Sequence, residues 1–421
     1  MNKFFFYFNE KIIFIKIPSI LTSFIPFFLI TGPFFPDLIV SLCALIFLIN
    51  SIKNSLFSYY KSNFFILFIL FYSILIISSL NSDLVIQSLK SSVPYIRFGI
   101  FTLSTWYLLN YDKKLINKIF NVTLFCFCLL IVDGFYQYFF GINLLGWKMV
   151  DTPRISSFFG KEWVLGSYLA RLIPFFFGCF IFLYKDLNKK KIYLVYLIFI
   201  LTETLIFLAG ERTAFFLLNL SVIFILILVK KFRKVRLYCW LASAILILSI
   251  NFINPISSKR IINTTAEQIG YGNERIYFFS KQHEDHIISA YKMFLSNKIF
   301  GIGPRLFREN CNKEQFVVST SSCSTHPHNI YFEILAETGL LGFILICSIF
   351  FYLVFLFFRH LFYKLFLKKI LFTDFSISLL ACLFVSLWPI IPTGSFFNNW
   401  INVIYYLPIG FLIWDIRRNK I

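Results

Sequence analysis

Charge is scarce in this chain: Asp, Glu, Lys and Arg make up 14% of its 421 residues, against roughly 25% in an ordinary soluble domain. Acidic residues are fewest, 20 against 40 Lys and Arg, and histidine occurs five times. With 58% of residues hydrophobic, this composition excludes a soluble globular protein. Repeats with a period of about 20–50 residues are missing, which excludes a solenoid or propeller. A phosphate-cradling loop is missing too: Gly160-Lys161 is followed by Glu162 and has no glycine five positions earlier, so the chain has no P-loop for a nucleotide triphosphate. The start, Met1-Asn2-Lys3-Phe4, leads into Lys11, Lys16 and an apolar stretch without an A-x-A-like cleavage site, so the first span is expected to be retained.

What is present is apolar sequence in long runs. A run of about 20 apolar residues crosses a bilayer core of about 30 Å, and such runs lie near 17–35, 37–50, 64–80, 93–110, 115–140, 164–184, 192–210, 212–229, 237–253, 334–358, 374–391 and 396–414. They predict an all-α polytopic membrane protein of about twelve transmembrane helices. The expected organisation is helices 1 to 9 over residues 1–253, a long extracytoplasmic loop with short helices over 254–333, and helices 10 to 12 over 334–421.

Basic residues mark alternate loops: Lys53 and Lys61; Lys113, Lys114 and Lys118; Lys185 and Lys189 to Lys191; Lys230 to Arg236; Arg359 to Lys369; and both termini. This is the positive-inside pattern. It predicts cytoplasmic termini and an extracytoplasmic 254–333 loop, and it assigns nearly all of the net charge of +20 to the cytoplasmic rim. A basic run at a membrane edge faces membrane lipids; no soluble domain is present to offer it to nucleic acid. Seven of the nine cysteines fall in spans. Cys311 and Cys323 flank a short stretch of the outer loop, where they are either a disulfide or two unpaired thiols.

Chemistry concentrates in that loop. His283, His286, His326 and His328 all lie in it, and only His360 is cytoplasmic. Imidazole titrates near neutral pH, so such clustering marks a candidate active site. Four ionisable residues fall inside predicted spans, Arg97, Asp133, Arg171 and Glu203, and each requires a partner or a wet cavity; Arg171 with Glu203 is a plausible structural pair.

The exit of the loop reads His328-Asn329, nine residues, then Gly339 and Gly342. Upstream lie Arg154-Ile155-Ser156-Ser157-Phe158-Phe159-Gly160, the turn Gly210-Glu211-Arg212-Thr213-Ala214, and Ala290 through Gly301-Ile302-Gly303-Pro304-Arg305. In their order and spacing these pieces resemble the O-antigen ligase and O-antigen polymerase superfamily of envelope glycosyltransferases, over about residues 150–400. The resemblance implies a bacterial inner-membrane enzyme with its site facing the periplasm. It implies an undecaprenyl-diphosphate-linked glycan as donor and a lipid A-core sugar hydroxyl as acceptor, with neither metal nor cofactor. Arg212 takes the role of the diphosphate cation and His328 that of the base or orienting group, with inversion at the anomeric centre. One departure stands out: where the family places a second arginine this chain has His283, and His283, if protonated, Arg275, Arg305 or Arg308 could replace that cation. Arg154, His286, Asn329 and Glu337 complete the expected substrate-binding set. O-antigen polymerase and protein O-oligosaccharyltransferase are the alternatives within the superfamily. A secondary transporter is the alternative outside it, although no repeated halves are visible.

Overall fold

The computed structural model describes residues 10–149, 154–253, 255–271, 275–277 and 279–419. Residues 1–9, which lead into the first predicted span, and position 254, where the long loop is expected to begin, lie outside them. The described chain is all-helical, about 74% helix, with a single isolated β-bridge between Ile142 and Lys148.

A first bent segment comprises a π-helical stretch Ile12–Lys16, α1 (Ile17–Ser23) and α2 (Ile25–Phe28). There follow α3 (Phe34–Lys53), α4 (Asn63–Leu80), α5 (Val85–Ser92), α6 (Ile96–Tyr111), α7 (Leu115–Phe140) and α8 (Leu165–Leu183). Next come α9 (Lys189–Leu208), α10 (Arg212–Leu228) and α11 (Arg233–Ile253). Among the described residues between α11 and the long α16 (Ile330–Leu365) stand α12 (Ile256–Ile261), α13 (Asn263–Gln268), α14 (Lys281–Ser296) and the single turn α15 (Phe307–Asn310). The chain closes with α17 (Asp374–Ser386) and α18 (Asn399–Arg418).

Seven of these helices are long and apolar enough to cross a membrane, and an eighth is possible if the pair 12–31, bent by 45°, counts as one span. The remaining predicted spans are helices that miss on length or apolarity. α6 and α10 have 16 and 17 residues and α17 has 13, while α18 carries Asn399, Asn402 and Asp415 along its 20 residues. The expected span 374–391 stops at Ser386, because Pro389 and Pro392 cannot continue a helix; residues 387–398 form a loop instead. The first span breaks at Phe24, next to Pro26.

α8 is the hub. Its side chains from Leu169 to Ile181 are all buried, packed between α10 and α17, with Phe175 edge-on to Phe411 and Phe176 stacked on Phe120. Peripheral helices instead leave apolar side chains outward: on α11, Phe252 is 93% exposed, as fits a lipid-facing surface.

The ionisable residues inside helices find partners to different degrees. Arg97 pairs with Asp37 at 2.8 Å. Asp133 accepts from Leu144 N and Ser157 Oγ, and Gln137 from the N–H groups of Ser156 and Ser157, which ties Leu144, Ser156 and Ser157 to the end of α7. Glu203 accepts from Ser243 Oγ at 2.5 Å. The expected Arg171–Glu203 pair is therefore not formed: Arg171 bonds to Ser167 and lies beside a different cavity.

Candidate active site

The site begins with a docking of backbone on backbone. α16 is broken at Gly339, whose φ of 66° and ψ of −161° are not helical. The segment leaving α14 lies in the break: Ile302 N donates to Ala336 O at 2.9 Å, Gly303 N to Glu337 O at 3.0 Å, and Leu340 N to Lys298 O at 2.9 Å. A Cβ on Gly339 would stand 2.3 Å from Ile299 O, and one on Gly301 2.5 Å from Glu337 C. Two glycines therefore face each other where two main chains touch. The Glu337 carboxylate then accepts from Arg305 N at 2.6 Å and Phe307 N at 2.9 Å, fixing the turn that carries Arg305. Arg305 and His328 both adopt positive φ, 60° and 56°, a strained region for residues with a Cβ. The strain is sustained by hydrogen bonds on either side, including Thr393 N to His328 O at 2.8 Å.

These contacts enclose a cavity of about 1240 Å³. Five arginines line it, Arg154, Arg171, Arg212, Arg305 and Arg308, against two acids, Glu162 and Glu211, with His283, His326 and His328 at one side. Glu211 is committed elsewhere: its oxygens accept from Gly166 N at 2.7 Å and Ser167 N at 3.1 Å, capping α8. Four helices, α3, α8, α10 and α18, begin at the cavity, since their N-cap residues Pro33, Val164, Glu211 and Asn398 line it. α16 begins two residues after His328. Helix N-termini carry positive partial charge, so dipoles and guanidinium groups favour the same kind of ligand, an anion.

Arg212 donates to Thr265 Oγ1 at 3.0 Å and Gln268 Oε1 at 2.6 Å on α13; both acceptors are neutral, so its charge is left for a ligand. Arg154 stacks 4.4 Å over the Trp163 ring. Burial, then the nearby Arg260, pushes its pKa down to about 10, with Glu211 opposing. Burial and neighbouring Arg308 likewise lower Arg305, opposed by Glu337 and Glu333.

The imidazoles form one group. Ring centroids of His326, His286 and His283 lie 4.1, 5.3 and 5.4 Å from that of His328. Ser324 Oγ sits 3.1 Å from His328 Nε2. His326 Nε2 donates to Thr393 O at 3.2 Å. Ser280 Oγ accepts from His283 N and lies 2.6 Å from His283 Nδ1, so its own hydrogen is free for that nitrogen. Burial, then the other imidazoles, pushes His328 down to about 3. Burial also brings His283 and His326 to about 4, with Arg212 contributing at the first and Arg308 at the second. At neutral pH all three are uncharged, so His328 is in the form that accepts a proton. Burial likewise favours the neutral form of His283 in the free protein. Among the described residues, no three His, Cys, Asp or Glu side chains are arranged to hold a metal ion.

Residues 195–347 match the family model described as O-antigen ligase. That match, over about a third of the chain, supports the O-antigen ligase-like superfamily. No curated protein matches it. The O-antigen ligase region runs from α9 into α16, and so contains Arg212, the loop histidines, Arg305, Arg308 and the broken helix. Arg154, Arg171 and the 387–398 loop, which close the cavity, lie outside it.

Of the residues singled out from the sequence, Arg212, His328, Arg154, His283, Arg305 and Arg308 line the cavity. Four do not, and each for a definite reason. Arg275 is exposed, paired with Glu284 and placed 5.4 Å over Tyr277. Asn329 caps α16, accepting from Tyr331 N and Phe332 N, and donates to Pro389 O at 2.8 Å. Glu337 is consumed by the backbone of Arg305 and Phe307. His286 is 1% exposed and stacked on His328 from behind. Of these four, Asn329, Glu337 and His286 orient the lining rather than form it. Sequence reasoning missed Thr393, the cavity-facing Arg171, and Ser324 beside His328; Pro389, Pro392 and Gly394 were the signal that 387–398 is a loop. Cys311 and Cys323 are joined by a disulfide, Cα to Cα 4.9 Å.

Proposed function

We propose that this O-antigen ligase-family membrane enzyme transfers a glycan from undecaprenyl diphosphate to a sugar hydroxyl of a lipid A-core acceptor, inverting the anomeric centre without a metal ion. The observation that carries this reading is the meeting, in one cavity, of a neutral His328 with five arginines and four helix N-termini. The acceptor hydroxyl attacks the anomeric carbon of the donor, and its proton passes to His328. The bond from that carbon to the diphosphate oxygen breaks, and its electron pair leaves on the diphosphate, where Arg212, Arg154 and Arg305 receive the growing charge. Attack from the side opposite the diphosphate inverts the centre. No nucleotide is required, because the diphosphate leaving group brings the energy.

The same reading sets the protein in the bacterial inner membrane with the cavity facing the periplasm and both termini in the cytoplasm. Support comes from the helix ends remote from the cavity: α3 ends in Lys53, α16 in Lys364 and α18 in Arg417 and Arg418, as the positive-inside rule requires.

Deletion of the coding sequence, followed by lipopolysaccharide gels and analysis of lipid-linked glycan, tests the assignment. Loss of the ladder with long polymer retained on the carrier supports ligase. A single repeat on the core indicates the polymerase, and loss of glycan from proteins the protein O-oligosaccharyltransferase. An unchanged ladder with unchanged glycoproteins overturns the proposal.

A further inference from the structure

Arg171 is the most deeply buried cation of the cavity, 3% exposed. It sits six residues beyond the first residue of α8, and its Nη1 reaches back to Ser167 Oγ at 3.3 Å, toward the end of the helix that opens on the cavity. That direction is the one a helical side chain takes by default. Its Nε is buried without a partner. Glu203, the carboxylate expected beside it, is bonded to Ser243 instead. Glu211 is near enough to act on it electrostatically, but both Glu211 oxygens already accept from the α8 backbone. A guanidinium removed from water without an ion pair is strongly disfavoured, and a rigid five-donor fork with an idle nitrogen fits phosphate oxygens.

We propose that Arg171 is a phosphate-binding residue, taking an oxygen of the donor diphosphate at the floor of the cavity while Arg154 and Arg212 hold it from the wall. The proposal rests on the reading that a diphosphate-linked donor enters this cavity, and it adds a cation from outside the family-matched region.

The test uses the full chain in detergent with inorganic pyrophosphate as the probe, read as thermal stabilisation across a titration. The wild type is expected to be stabilised. Arg171→Gln should need about tenfold more pyrophosphate or worse, with Arg171→Lys intermediate because a point charge lacks the fork. The ligand-free melting temperature of Arg171→Gln should hold or rise, since a desolvated charge has been removed. Identical titrations for wild type and Arg171→Gln overturn the proposal. So does a fall in ligand-free stability with Arg171→Lys keeping wild-type pyrophosphate affinity, which makes the residue purely structural. Loss of the response in Arg212→Ala but not in Arg171→Gln leaves the donor reading standing and removes Arg171 from it. A wild type indifferent to pyrophosphate removes both. Phosphatidylglycerol is the second probe: stabilisation by the phospholipid alone, abolished by Arg171→Gln, assigns the residue to bilayer phosphate and overturns the donor assignment.

Discussion

Replacing Gly339 with alanine should open the site without touching a single residue that lines it. The new Cβ would meet Ile299 O at 2.3 Å and Gly301 N at 2.7 Å, atoms of a main chain that cannot rotate away. Relief requires the 298–303 stretch of chain to move off by about 1 Å, which stretches three hydrogen bonds now 2.9, 3.0 and 2.9 Å long past useful length. At about 1 kcal/mol each for the hydrogen bonds, with about 1–3 kcal/mol more for an alanine in a backbone region open essentially to glycine alone, docking of the segment weakens by at least about 4 kcal/mol. This corresponds to about a thousandfold rise in the open population. The segment and its continuation carry Lys298, Arg305, Arg308 and Lys313, so limited trypsin digestion in the native state reports its opening directly. Transfer activity should fall in step, since Arg305 and Glu337 lose their mutual register. Gly141→Ala is the control for a left-handed glycine in open space: its φ is 76° and ψ −8°, nothing lies within 4 Å of the place a Cβ would take, and cleavage of 298–313 should stay unchanged. Gly339→Ala with wild-type cleavage and activity would refute the argument from close approach.

The acid limb of kcat/KM should lie well below pH 6.5, because burial holds His328 near 3 and His283 and His326 near 4 in the free protein; the limb of kcat should lie at higher pH, because the diphosphate proposed as ligand would favour imidazolium. A kcat/KM limb at 6.5 or above contradicts this. The same histidines bind fewer protons folded than unfolded, so thermal stability should be complete above about pH 6.5 and decline as pH falls toward 4; a flat profile in that window sinks the claim. Cys311→Ser should weaken the loop by about 2–3 kcal/mol, and mild reduction of the wild type should reproduce its loss of transfer, since Arg308 and His326 flank the bridged cysteines. Reduction without effect refutes the bracing role. Glu337→Gln sets an amide N–H₂ against the N–H of Arg305 or Phe307, about 1–3 kcal/mol unfavourable, and should raise the KM for donor more than it lowers kcat; an unchanged KM excludes the positioning role.

Much of the fold and site is legible in the sequence because apolar runs, basic loops and a histidine-rich segment are local signals. Arg212, His328 and Arg305 can be picked out because they sit in short motifs. Asn329 and Glu337 stand in the same motifs but point elsewhere. An asparagine before a helix is as good a cap as a ligand, and a glutamate can serve two backbone N–H groups as readily as a substrate; only the third dimension separates these uses. For Arg171, the rule that buried opposite charges seek each other gives the right requirement and, in Glu203, the wrong partner. Hydropathy places the end of the span at 374–391 too far along the chain, because it sees composition and not the breaks at Pro389 and Pro392.

The net charge of +20 says little about what the cavity binds, since its largest clusters lie at the far ends of the helices. What prepares the cavity for an anion is direction. α3, α8, α10 and α18 start there, so the arrangement that sets Lys53 and Arg417 at the opposite end also turns four helix N-termini toward the cavity, that of α8 being capped by Glu211. Glu211 shows how the acids are deployed: it caps α8 through Gly166 and Ser167, committed to the scaffold, so that the arginines beside it are left without a dedicated carboxylate. A chain poor in acids can thus hold five arginines around one cavity, each retaining charge for a substrate that carries the missing negative groups with it.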